Sequence, residues 1–174
     1  MEEARLRETE HGVVVEGDGW FVVNPRDLAW ETIDGSGTWC AFEAPEEEGR
    51  QIGIGVHVVM PGEASAMYHA EDAQEGFMVL EGECLLIVEG EERLMRQWDY
   101  FHCPPGTEHI TVGAGTGPCA ILMLGARVPG RPIRYPVSEL AARYGASVEQ
   151  ETDSPREAYA GQPDPRPAPA PWPR

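Results

Sequence analysis

Basic side chains are scarce in this chain: 13 lysines and arginines stand against 30 aspartates and glutamates, for a formal net charge of −17. Such a surface repels phosphate backbones and anionic lipid headgroups, which argues against nucleic-acid or membrane partners. Long apolar runs are missing as well. No stretch approaches the roughly 20 apolar residues that a membrane helix needs. The segment Met1 to Glu10 is charged and lacks the apolar core of a secretory signal, so a cytoplasmic protein is expected. Cysteine is sparse and scattered: Cys40, Cys84, Cys103 and Cys119 show no CxxC spacing, which argues against a zinc knuckle and for four reduced, mostly buried thiols. No internal repeat is visible.

What is present points to one β-rich domain. The 174 residues are 41% apolar, enough for a sizeable core, and 20 glycines with 16 prolines favour many turns over long helices. Residues 1–12 are polar and read as a flexible N-terminus. Val13-Val14-Val15 and Trp20-Phe21-Val22-Val23 flank Glu16-Gly17-Asp18-Gly19 and predict a hairpin or a strand pair. Leu28 to Ile33 and Thr38 to Phe42 predict short strands, and Pro45 to Arg50, with three consecutive glutamates, a solvated loop. Ile52, Ile54, Val56, Val58 and Met60 then alternate as a half-buried strand should.

Short strand candidates continue at Phe77 to Leu80, Cys84 to Val88, Arg93 to Gln97, Tyr100 to Cys103, Ile110 to Val112 and Cys119 to Leu124, most of them separated by Gly or Pro turns. That rhythm predicts an all-β sandwich or barrel over residues 13–135, with the N-terminal strands as an extension. Residues 136–160 carry one short helix, Val137 to Tyr144, with Ser138 as N-cap and Gly145 as its stop. In residues 161–174 every second position from Pro163 is proline, and a segment so poor in amide donors reads as an extended, disordered tail.

Chemistry concentrates between Gly62 and His109. If His69 to Glu71 is extended, those two side chains share one face, and Glu75 opens the next strand. A second segment runs Trp98-Asp99-Tyr100-Phe101-His102-Cys103-Pro104-Pro105-Gly106-Thr107-Glu108-His109. Imidazoles and carboxylates converging from neighbouring strands form a mixed nitrogen and oxygen donor set. Such a set suits iron(II), manganese(II), zinc(II) or nickel(II) rather than calcium or copper(I).

These two segments resemble the paired motifs of the cupin superfamily. Glu75 and Gly82 have the six intervening residues of the first motif; His69 takes its first histidine position, and Glu71 stands where a second histidine is usual. Pro104, Gly106 and His109 match the second motif, with Trp98 in place of its leading glycine. The resemblance covers roughly Ile52 to Leu124. It implies a small single-domain cupin of the kind found in bacteria: a double-stranded β-helix, or jelly-roll barrel, with extra N-terminal strands and a short C-terminal helix. It also implies one divalent metal ion on His69, Glu71, Glu75 and His109, and small cupins commonly pair as homodimers. Val13 to Phe42 could cover a sheet edge or cross to the partner.

Each site residue has a plainer reading. His69 and His109 could be hydrogen-bonded core histidines, Glu75 a surface residue, and Glu71 a general base near the metal or one acid of an exposed turn with Asp72. A one-residue register slip would put Gln74 in place of Glu75. Tyr68 should face the opposite side from His69, and His102, His57 and His11 are weaker candidates. Two function classes follow: a metal-dependent enzyme on a small organic molecule, of oxygenase, isomerase or decarboxylase type, or a non-enzymatic small-ligand-binding or sensor module.

Overall fold

The computed structural model describes residues 2–17, 19–43 and 51–172; the acidic run Pro45 to Arg50 lies outside them. Among the described residues, fourteen strands and two short helices follow in chain order. The strands are β1 Arg5–Thr9, β2 Gly12–Glu16, β3 Trp30–Ile33, β4 Gly37–Ala41, β5 Ile52–Val59, β6 Ala70–Glu71, β7 Glu75–Glu81, β8 Glu83–Val88, β9 Glu91–Arg96, β10 Tyr100–Cys103, β11 His109–Gly113, β12 Cys119–Ala126, β13 Ile133–Arg134 and β14 Arg166–Ala168; the helices are α1 Glu139–Ala142 and α2 Pro155–Ala158.

A seven-stranded sheet in the order β10-β7-β12-β5-β4-β3-β14 and a three-stranded sheet in the order β11-β8-β9 form the main body. Between them Val59, Val79, Cys84, Leu86, Cys103, Cys119 and Ile121 pack as a core. Val59, Val79 and Ile121 are fully buried; each contributes about 1.5–3 kcal/mol relative to exposure. The four cysteines are free and buried.

The outer face of the large sheet is covered too. Leu28, Trp30, Cys40, Val56, Val58 and Ala120 form a second cluster, against which Ala168, Ala170 and Trp172 pack. The alternation over β5 therefore has two buried faces. Val56 and Val58 point to this outer layer, while Gly53, Gly55, His57 and Val59, of opposite parity, face the barrel interior. On the small sheet, Ile87, Ile110 and Val112 are covered by Ala141 and Ala146. Ser138 caps α1 by accepting from the Ala141 amide, and Gly145 ends it at φ +68°. A second capped turn, α2, starts at Ser154-Pro155.

Three sequence expectations change. Residues 5–9 are not loose: they pair with Val13–Val15 through β1 and β2, around the tight Glu10-His11 turn. The Trp20 cluster is thus not the hairpin partner of Val13–Val15; Trp20 bridges Glu3 instead. The tail is not free either. β14 pairs with β3 in the register Arg166↔Thr32, Pro167↔Glu31, Ala168↔Trp30, and Trp172 stands edge-on to Trp30 with ring centroids 5.4 Å apart. Alternation explains this. Prolines at 165, 167 and 169 place every missing donor on one side of the strand, so Arg166 and Ala168 keep their amides for β3.

Candidate metal centre

Two turns bring the sequence motifs together. Pro105-Gly106 forms a tight turn, closed by the Thr107 amide donating to Pro104 at 3.2 Å, with Gly106 at φ +82° where a side chain would be strained. The Gly106 amide donates to the Glu71 carbonyl at 2.8 Å. Beyond the turn, His109 and His69 exchange backbone hydrogen bonds of 2.8 and 3.2 Å, which fixes the two imidazoles side by side. Gly82, at φ +77°, turns β7 into β8 against the Pro118 carbonyl, leaving no room for a Cβ.

Each imidazole is oriented from behind. His69 Nδ1 lies 2.7 Å from the Met67 carbonyl and His109 Nδ1 lies 3.0 Å from the Thr107 carbonyl. A carbonyl can only accept, so each Nδ1 carries the proton and each Nε2 presents a lone pair forward. Phe77 and Phe101, stacked at 5.7 Å, flank the His109 ring. The donor atoms of His69, Glu75 and His109 all lie within 4.8 Å of one another. Donors about 2.1 Å from one ion stand up to about 4.2 Å apart, so small side-chain shifts would close this cluster on a metal.

The burial of these groups is what calls for a cation. Glu75 Oε2 and His109 Nε2 are buried with no hydrogen-bond partner, and they lie 3.5 Å apart without bonding. Burial, then the neighbouring Glu71, pushes the Glu75 carboxyl up to about 7, with Arg131 and Arg127 opposing. Burial, then His69, pushes His109 down to about 4. Burial also lowers His69. Two neutral imidazoles and a carboxylate starved of partners are what a divalent ion satisfies.

Glu71 sits elsewhere. Its carboxylate pairs with Arg131 Nε at 2.8 Å, and it is not among the three converging donors. Gln74 is exposed, while Glu75 points inward. Tyr68 is buried on the outer side, its hydroxyl 3.4 Å from Glu108, and His102 and His11 are exposed.

A cavity of about 290 Å³ opens beside the cluster, lined by Glu71, Glu75, His57, Trp39, Arg127 and Arg131 among others. His57 Nε2 donates to the Ser36 carbonyl at 2.6 Å, and burial pushes its imidazole down to about 4. Sequence reasoning missed His57, Arg127 and Arg131 as lining residues. His57 was within reach through its shared parity with Gly53 and Gly55; the arginines follow the barrel with no local pattern.

Residues 55–125 match the family model of the cupin domain. No curated protein matches the chain. Among solved structures, a sugar phosphate isomerase of the cupin superfamily from Silicibacter pomeroyi is 26% identical over 58% of this chain and 65% of its own, with a TM-score of 0.52. The chain thus spans just under two thirds of that protein. A Cupin 2 conserved barrel domain protein from Salinispora arenicola is 17% identical over 64% of this chain and 92% of its own, with a TM-score of 0.51. With the paired motifs, the two-sheet barrel and these matches in agreement, residues 55–125 form a cupin domain and the chain carries the cupin fold.

Proposed function

We propose that His69, Glu75 and His109 hold one divalent metal ion and that the protein is a metal-dependent enzyme acting on a small organic molecule in the adjoining cavity. One observation carries this reading: Glu75 Oε2 and His109 Nε2 are buried, facing and partnerless beside a third donor. Two nitrogens and one oxygen suit iron(II), manganese(II), zinc(II) or nickel(II). Bound there, such an ion supplies a Lewis acid that polarises a substrate oxygen. The chain's own contribution is to hold both imidazoles by their Nδ1 protons and to wall the cavity with Trp39, Phe77 and Met123. The likeness to a sugar phosphate isomerase favours isomerase-type chemistry, in which a proton moves between neighbouring carbons. Glu71, tied to Arg131, is the carboxylate placed to face the substrate rather than the ion.

Elemental analysis of protein purified without added metal or affinity-tag nickel tests the centre. About one divalent ion per chain is expected, with loss in the His69→Ala/His109→Ala variant while the barrel stays folded. Undiminished metal in that variant overturns the assignment. Glu71→Gln should keep the metal and lower turnover on a panel of hydroxy-carbonyl compounds; weakened metal binding would instead place Glu71 among the ligands.

The reading extends to a homodimer. β10 ends the seven-stranded sheet, and Leu94, Trp98 and Tyr100 are exposed on and beside the β9–β10 turn. A monomeric mass by light scattering at micromolar concentration would count against it.

A further inference from the structure

The inner face of the large sheet is stripped of side chains next to the metal centre. Gly125 of β12 pairs with Glu75 of β7 on one side and with Gly53 of β5 on the other. Directly opposed residues share a face, so Glu75, Gly125 and Gly53 form one row across three strands. At about 4.8 Å per strand, that row spans about 10 Å from the carboxylate end to Gly53. Its floor is bare backbone.

At the far end of the row stands Arg127. Its amide extends the ladder by donating to the Gln51 carbonyl at 2.8 Å, and its side chain folds back over the sheet. The guanidinium fills the space that a Cβ on Gly53 would need, so any other residue at 53 would displace it. Among the described residues, no carboxylate or carbonyl is paired with this guanidinium. Arg131 differs: it is held by Glu71 at 2.8 Å and by the Ala126 carbonyl at 2.9 Å. In a chain of net charge −17, with no lysine and with most described arginines ion-paired, Arg127 stands apart: it lines the cavity at its exposed rim without an ion-pair partner among the described residues, and acts on Glu75 only through space. At the other end of the row Glu75 lines the cavity, and its Oε2 is buried without a partner, 3.5 Å from the equally unpartnered His109 Nε2.

We infer that Arg127, seated on Gly53, is the oxyanion-recognition residue of the cavity, and that the ligand is a small molecule bearing a terminal phosphate or carboxylate. The guanidinium fork grips the oxyanion, the molecule lies along the Gly53–Gly125 floor, and an oxygen a few carbons away reaches the His69, Glu75 and His109 cluster. The cavity of about 290 Å³ fits a metabolite-sized molecule rather than a polymer. This inference rests on the metal-centre reading for the far end of the ligand, but the anion seat is testable alone.

Isothermal titration of the full chain with glycerol 3-phosphate, glycerate and glycerol, in metal-loaded and metal-free form, tests it. At least one of the two anions should bind at least about tenfold more tightly than glycerol, and comparing the two anions tells phosphate from carboxylate. Arg127→Gln and Gly53→Ala should each lower that affinity about tenfold or more, with metal content and thermal midpoint unchanged, and Arg127→Lys should retain part of it. Equal binding of anions and glycerol by the wild type, or unchanged anion affinity in both Arg127→Gln and Gly53→Ala, overturns the inference even if the metal binds. Arg127-dependent anion binding in a protein that takes up no metal would sustain the seat and overturn only the metal centre.

Discussion

β12 builds a core at one end and a site at the other, on the same face of the same sheet. Cys119 and Ile121 sit between β5 and β7 with Val59 and Val79 as neighbours, and all four are fully buried. Four residues on from Ile121, Gly125 lies between Gly53 and Glu75 and leaves an open cavity. The difference is side-chain volume. Inward positions run from Val59 through His57 to Gly55 and Gly53 along β5, and from Cys119, Ile121 and Met123 to Gly125 along β12, so the barrel is filled by apolar packing at one end and left to charged groups at the other. A site need not interrupt a fold; here it is where the packing stops.

Alanine at two positions of this one strand breaks the comparison most sharply. Ile121→Ala should cost about 2–5 kcal/mol, through lost burial plus a cavity between close-packed sheets. Gly125→Ala should instead stabilise slightly, by about 0.4–1 kcal/mol, because its new Cβ meets only Glu75 atoms at 3.8 and 3.9 Å and the unfolded chain loses freedom. Urea unfolding of the two variants checks both signs; a comparable loss in each would mean that the glycine end is packed as tightly as the core.

His57 sharpens the contrast through pH. Burial holds its imidazole at about 4 in the folded state against 6.5 when exposed, so the unfolded chain carries the extra proton between those values. The stability this neutral histidine contributes is complete above about pH 6.5 and fades as pH falls toward about 4, by roughly 3 kcal/mol. His57→Gln, which can still donate to the Ser36 carbonyl, should flatten that part of the acid limb in unfolding titrations. An identical pH slope in variant and wild type would show that the loss arises elsewhere.

The smallest effect is expected at Trp98, which holds φ +73°. A left-handed conformation costs a bulky residue about 1–2 kcal/mol, partly offset by the entropy that glycine adds to the unfolded chain. Trp98→Gly should therefore raise stability by at most about 1 kcal/mol. The same variant should weaken the proposed dimer, and a more stable chain of unchanged dimeric mass would remove Trp98 from the interface.

What was legible in the sequence is what short-range backbone geometry fixes. Glu75 and Gly82 span one strand and its corner; Pro104, Gly106 and His109 span one turn and the start of the next strand. Those spacings cannot vary without moving the donors, so they mark the fold and the triad. Glu71 shows the opposite case. Its position within the first motif suggests a ligand, but its carboxylate is paired with Arg131, sixty residues on, and no local pattern announces a partner so distant. Gly53, Gly55 and His57 were hidden in plain alternation. The apolar half of β5 reads as the buried half, whereas an added outer layer buries that half and turns the glycine and histidine positions into the barrel. The tail misled for a related reason: counting prolines shows fewer donors, while only their parity shows which side loses them.

That parity has a consequence for the outline of the sheet. β14 is the last strand on its side, and Pro165, Pro167 and Pro169 leave its outward rim with carbonyl oxygens and no N–H groups. A strand arriving from another molecule would find acceptors without donors there, and half of the rungs it needs would stay unmade. The tail acts as a selvedge: it finishes the sheet on one side against further weaving and leaves β10 as the margin where growth by pairing stays open.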